Sequence, residues 1–89
     1  MTSMERVMTA LQHREPDRVP LMLFLSIYGA KYAGASIREY FSDASEVARV
    51  QLQMRERFDN DVLIGFQHAA AEFEAFGGEV IWFPDGPPN

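Results

Sequence analysis

The sequence predicts an α/β fold built on parallel strands, and three features carry that prediction. Two short apolar runs, residues 19–25 and 62–66, have strand length and are bounded by turn residues. A long amphipathic stretch over residues 44–58 lies between them. Capping-box spacing, Ser, Thr or Asp followed three residues later by Glu, recurs at Thr2/Glu5, Ser36/Glu39 and Asp43/Glu46.

Taken in order, Thr2 and Glu5 open a helix whose apolar face is Met4, Val7, Met8 and Leu11. Pro16 lacks an amide proton and restricts Glu15, so this helix should finish near His13, which then meets its last carbonyls. Residues 19–25 read as a strand buried on both faces, with Pro20 tolerated at its start. Arg18, beside Asp17, is placed to brace the helix–strand junction. Residues 26–35 are irregular, punctuated by Gly29 and Gly34, with room for one helical turn.

Ser36 starts a short helix through about Phe41, and Asp43 starts the long one, striped by Val47, Val50, Met54 and Phe58. Asp59-Asn60-Asp61 is turn chemistry before the second strand. Residues 68–76 read as helix, stopped by Gly77-Gly78, and residues 79–83 as a third strand before a Pro/Gly loop. Two apolar strands joined by a long helix make a βαβ unit with a right-handed crossover. Nothing in this order closes a sheet, so residues 1–89 read as one incomplete domain.

Composition narrows the function. Hydrophobic residues make up 47% and charged residues 24%, which is ordinary for a folded domain. Seven Phe, three Tyr and one Trp are more aromatic surface than so small a body hides, which points to a covering surface supplied by more chain or another subunit. The net charge of −5, with no basic block, argues against nucleic acid as a partner. No apolar run approaches the roughly 20 residues of a membrane span, and the first residues lack a signal-peptide core, so a cytoplasmic protein is expected. With no cysteine, disulfides and thiolate metal sites are excluded within these residues.

Ligands of parallel α/β folds bind at the carboxyl ends of the strands. That rule singles out residues 25–31 and 66–68 as one rim. Gln67 and His68 are its best-placed polar residues: an imidazole there can shuttle a proton or donate to a carboxylate, or it can merely cap the next helix. Lys31 can pair with an anionic substrate at the same mouth, or stand solvated in its loop. Glu72 and Glu74, two apart on a helix, do not form an acid/base pair. No phosphate loop, nucleophile elbow or metal-ligand cluster is present.

Several segments carry a resemblance. Glu5-Arg6-Val7, then Arg14-Glu15-Pro16-Asp17-Arg18-Val19-Pro20, then Ser36-Ile37-Arg38-Glu39-Tyr40 and Arg57-Phe58-Asp59-Asn60-Asp61 follow in order. Glu72-Phe73-Glu74-Ala75-Phe76-Gly77-Gly78-Glu79-Val80 and Asp85-Gly86-Pro87-Pro88 complete the series. Together they resemble the start of the uroporphyrinogen decarboxylase superfamily, and are most similar to its corrinoid-dependent branch, the methylcobalamin:coenzyme M methyltransferase type. The resemblance implies the N-terminal portion of a (β/α)8 barrel: a leading helix, a βαβ unit and an extra helix–strand. It implies either decarboxylation of a porphyrinogen's acetate arms or methyl transfer from a corrinoid, with the catalytic half of the barrel lying further along.

Two departures from the decarboxylase pattern favour the second activity. Decarboxylases carry Arg-Gln-Ala-Gly-Arg-Tyr after the first strand, whereas this chain has Ile27-Tyr28-Gly29-Ala30-Lys31-Tyr32. Lys31 stands for the second arginine and the first is lost. Where decarboxylases have Phe-Ser-Asp, this chain has Phe66-Gln67-His68, and a neutral imidazole offers one acceptor where a carboxylate offers several. For the methyltransferase branch the resemblance implies zinc, with ligands beyond Asn89, and a corrinoid as substrate or partner. A further reading keeps the chain as a standalone α/β module that forms a homo-oligomer through unpaired strand edges.

Overall fold

The computed structural model describes residues 1–65 and 69–89, with the backbone alone at 69 and 70. Five helices follow in order: α1 (Ser3–Leu11), α2 (Ile27–Tyr32), α3 (Ile37–Ser42), α4 (Ala44–Phe58) and α5 (Ala69–Ala75).

Local chemistry accounts for the ends of these helices. At α1 both halves of the capping box form: the Glu5 N–H donates to Thr2 Oγ1 at 3.2 Å, and the Thr2 N–H donates to Glu5 Oε2 at 2.7 Å. Ser36 caps α3 by accepting from the Glu39 N–H at 3.1 Å. Asp43 caps α4 through Ser45, not Glu46, taking the Ser45 N–H at 2.9 Å and its hydroxyl at 2.6 Å. Three helices stop in the same paired C-terminal motif. His13 and Arg14 N–H groups reach Ala10 and Thr9 oxygens, Gly34 and Ala35 reach Lys31 and Ala30, and Gly77 and Gly78 reach Glu74 and Phe73. Gly78 also makes room for the Phe73 ring, which a Cβ there would approach to 2.0 Å.

The core belongs to α2, α3 and α4. Ala30, Ile37, Tyr40, Phe41, Val47, Val50 and Met54 are buried together, with Leu25, Phe58 and Trp82 packed at the margin. The predicted stripe of the long helix is therefore its inward face. Gly29 sits where α2 crosses α4 most closely: a Cβ would lie 3.0 Å from Val50 Cγ1 and 3.1 Å from Met54 Cγ.

Two expectations fail for one physical reason. The apolar runs form no regular strand among the described residues; Met22 and Val62 make a single parallel bridge, and the Asp61 N–H donates to the Leu21 oxygen at 2.8 Å. Nor is the first run buried on both faces, since Val19 is 83% exposed, Met22 60% and Phe24 65%. A lone parallel pair is weakly held, and Pro20 removes one donor, so a sheet requires further strands on either side. Residues 79–83 pair with the chain's own last residue instead, Ile81 and Asn89 exchanging bonds of 2.7 and 2.9 Å.

α1 departs from expectation in the same direction. Its apolar face stays open, with Met4 70% and Leu11 68% exposed, and the buried residue of this helix is Arg6. A radius of gyration of 15.5 Å, against about 12 Å for a compact chain of this length, reflects these uncovered faces.

Candidate functional site

The parallel bridge gives the two apolar segments a common direction, so each has a defined end. α2 follows at the carboxyl end of the first segment. At the opposite, amino end lies a cluster of charges.

That cluster is the most constrained polar group among the described residues. The Asp61 side chain is wholly buried. Its Oδ2 accepts from the Leu21 N–H at 2.9 Å, and its Oδ1 accepts from the Ser3 hydroxyl at 2.9 Å and from the Arg6 guanidinium. Arg18 lies 3.2 Å from Asp61 Oδ2 and also donates to the Asp59 carbonyl at 3.1 Å. Arg6 forks onto Asp17, with Nε to Oδ1 at 2.6 Å and Nη2 to Oδ2 at 2.9 Å. The Leu21 amide foremost, then burial-opposed bonds from Ser3 and Arg6, hold the Asp61 carboxyl below its usual range. The Arg6 guanidinium holds Asp17 well below the carboxylate range, and Asp17 in turn raises Arg6. The Asp17-Arg18 pair thus braces the helix–strand junction as expected, with Arg6 and Asp61 as the partners sequence reading missed. No local signal marked Arg6, because a charged residue opposite the apolar stripe is the ordinary pattern of an amphipathic helix. In parallel barrels this end of the strands serves stability.

At the carboxyl end, Lys31 lies exposed in the last turn of α2. On the same short helix the Tyr28 and Tyr32 rings stack with centroids 6.3 Å apart; Tyr28 also meets Phe58 at 6.3 Å. Gln67 and His68 lie outside the described residues, so their placement beside Lys31 stays an expectation from sequence. Beneath α2 sits a second polar group that sequence reading missed. Gln51 is buried, and its Nε2 donates to the Tyr40 hydroxyl at 3.0 Å and to the Leu25 carbonyl at 3.3 Å. Its signal was a polar residue inside the Val47–Val50–Met54 stripe.

A separate groove of about 310 Å³ is lined by Ser36, Ile37, Arg38, Trp82, Phe83 and Pro84, with the Arg38 guanidinium 5.2 Å from the Trp82 ring centre. Among the described residues, no three His, Cys, Asp or Glu side chains gather as a metal ion requires. Also among them, no helix is long and apolar enough to cross a membrane.

The protein-family model described as Uroporphyrinogen decarboxylase (URO-D) matches residues 2–89. The chain belongs to that family. Its 89 residues compare with the roughly 250 of a complete (β/α)8 barrel, so they represent a fragment of that fold. No curated protein and no solved structure matches it.

Proposed function

We propose that the chain is the N-terminal part of a uroporphyrinogen decarboxylase-superfamily enzyme of the corrinoid methyltransferase type, and that it does not turn over substrate alone. One observation carries the choice of branch. Ile27–Tyr32 holds a single basic residue, Lys31, where a porphyrinogen decarboxylase presents two arginines. One ammonium can neutralise one carboxylate; it cannot form the forked, directional pairs that two guanidiniums make with a polycarboxylate. On this reading Lys31 and Gln67 contact substrate at the rim, and His68 is the candidate proton carrier. The zinc ligands that the methyltransferase branch implies would lie further along the barrel. The same family membership supports a true decarboxylase fragment as the alternative, with Lys31 and His68 altered in a working site.

Titration of the chain with methylcobalamin, read by corrinoid absorbance, and with oxidised uroporphyrin, read by fluorescence, separates the branches. The proposal expects corrinoid binding that Lys31→Ala weakens, weak porphyrin binding, and no methyl transfer to a thiol. Tight porphyrin binding sensitive to Lys31→Ala overturns the branch; methyl transfer from methylcobalamin to an added thiol overturns the inactivity. The exposed Val19, Met22 and Phe24 favour a second reading, a dimerising module. A cooperative dimer in sedimentation would support it; a loosely folded monomer would not.

A further inference from the structure

α4 grips α2 at three points with three consecutive residues. Gln51 Nε2 donates to the carbonyl of Leu25, the residue before the α2 N-cap Ser26. Val50 rests against Gly29 in the middle of α2. Arg49 Nη1 donates at 3.2 Å to the carbonyl of Ala33, the α2 C-cap. The three contacts thus fall just before, in the middle of and at the end of α2.

The two polar grips are themselves oriented. The Tyr40 hydroxyl, on a side chain only 1% exposed, fixes Gln51. Glu46 holds Arg49 through two bonds of 2.9 Å. An apolar residue of similar volume at position 51 would fill the core equally well. A buried amide adds direction, because its bonds are satisfied in one arrangement only.

We infer that Gln51, supported by Arg49, is a positioning residue that holds α2 as a fixed shelf at the carboxyl end of the first apolar segment. It thereby sets where Lys31 and the Tyr28–Tyr32 pair stand. That this shelf is part of a ligand rim rests on the function proposed above; the grip itself does not.

Amide hydrogen exchange on the whole chain, read by NMR, tests the grip. The Ala30, Ala33 and Ala35 amides bond to Ser26, Gly29 and Ala30 oxygens and report on α2. In Gln51→Met they should exchange about tenfold faster, while Tyr40 and Val47 amides change less than about twofold. Tyr40→Phe, which removes only the hydroxyl orienting Gln51, should speed the same α2 amides by a smaller factor and decides the matter if Gln51→Met does not fold. Equal acceleration in α2 and α4, or none in α2, overturns the inference. The Lys31→Ala titration with methylcobalamin judges the rim reading independently.

Discussion

Arg6 and Asp61 lie 55 residues apart in the chain and meet in an ion pair whose carboxylate is wholly buried. Their contact joins α1 to the amino end of the second apolar segment, and Ser3, Arg18 and the Leu21 amide complete the shell around Asp61.

Removing that buried charge takes from Arg6 and Arg18 the carboxylate they share, leaving Arg6 with Asp17 and Arg18 with the exposed Asp59. Asp61→Asn should lower the thermal midpoint by about 10 °C. Asp59→Asn, at a side chain 81% exposed, should shift it by no more than about 2 °C. Thermal melts followed by circular dichroism compare the two; equal shifts would show that the clasp contributes no more than a surface pair.

Acid should act on the same group, and the sign follows from the direction of the shifts. Asp17 and Asp61 both titrate below their unfolded values when folded. The stability they contribute is present in full above the unfolded carboxylate pKa of about 3.9 and is lost as pH falls through the folded values. Midpoints should be level from about pH 7 to 5 and fall below about pH 4. Asp17→Asn should flatten that acid slope.

His13 ends α1 in the left-handed region, with φ of 59° and no glycine to relieve it. His13→Gly should stabilise the chain by up to about 1 kcal/mol, whereas the β-branched His13→Val should destabilise it. Urea midpoints at constant slope measure both.

Met54 is fully buried between α2 and the rest of the core. Met54→Ala should cost about 2–5 kcal/mol, much of what a domain this small possesses, and broaden or abolish cooperative unfolding. Gly29→Leu should do the same by overpacking against Val50 and Met54.

Sequence patterning located the helices because capping and period are local. Thr2 and Ser36 cap as their spacing suggests, Asp43 caps through Ser45 in place of Glu46, and Val47, Val50 and Met54 of the α4 stripe are buried. The strands were less legible, because a run such as residues 19–25 acquires its ladder only from neighbours. In their place one bridge, Met22 to Val62, preserves the parallel direction. Residues 26–35, expected to be irregular with room for one helical turn, contain the six-residue α2, extended because α4 supplies contacts that no local pattern reports. At the site, the sequence singled out Lys31, which lies exposed in the last turn of α2, whereas Asp61 and Gln51 were not legible. Their importance lies in partners 40 and 26 residues away.

Arg6, the sole buried side chain of α1, gives the molecule two seams that open under different conditions. The α2–α4 core is fastened by apolar contact and loosens with urea or heat. α1 is fastened through carboxylates and loosens with protons. Acid below about pH 4 can therefore free the leading helix, with its Met4 and Leu11 already facing solvent, while the three-helix core beneath stays closed.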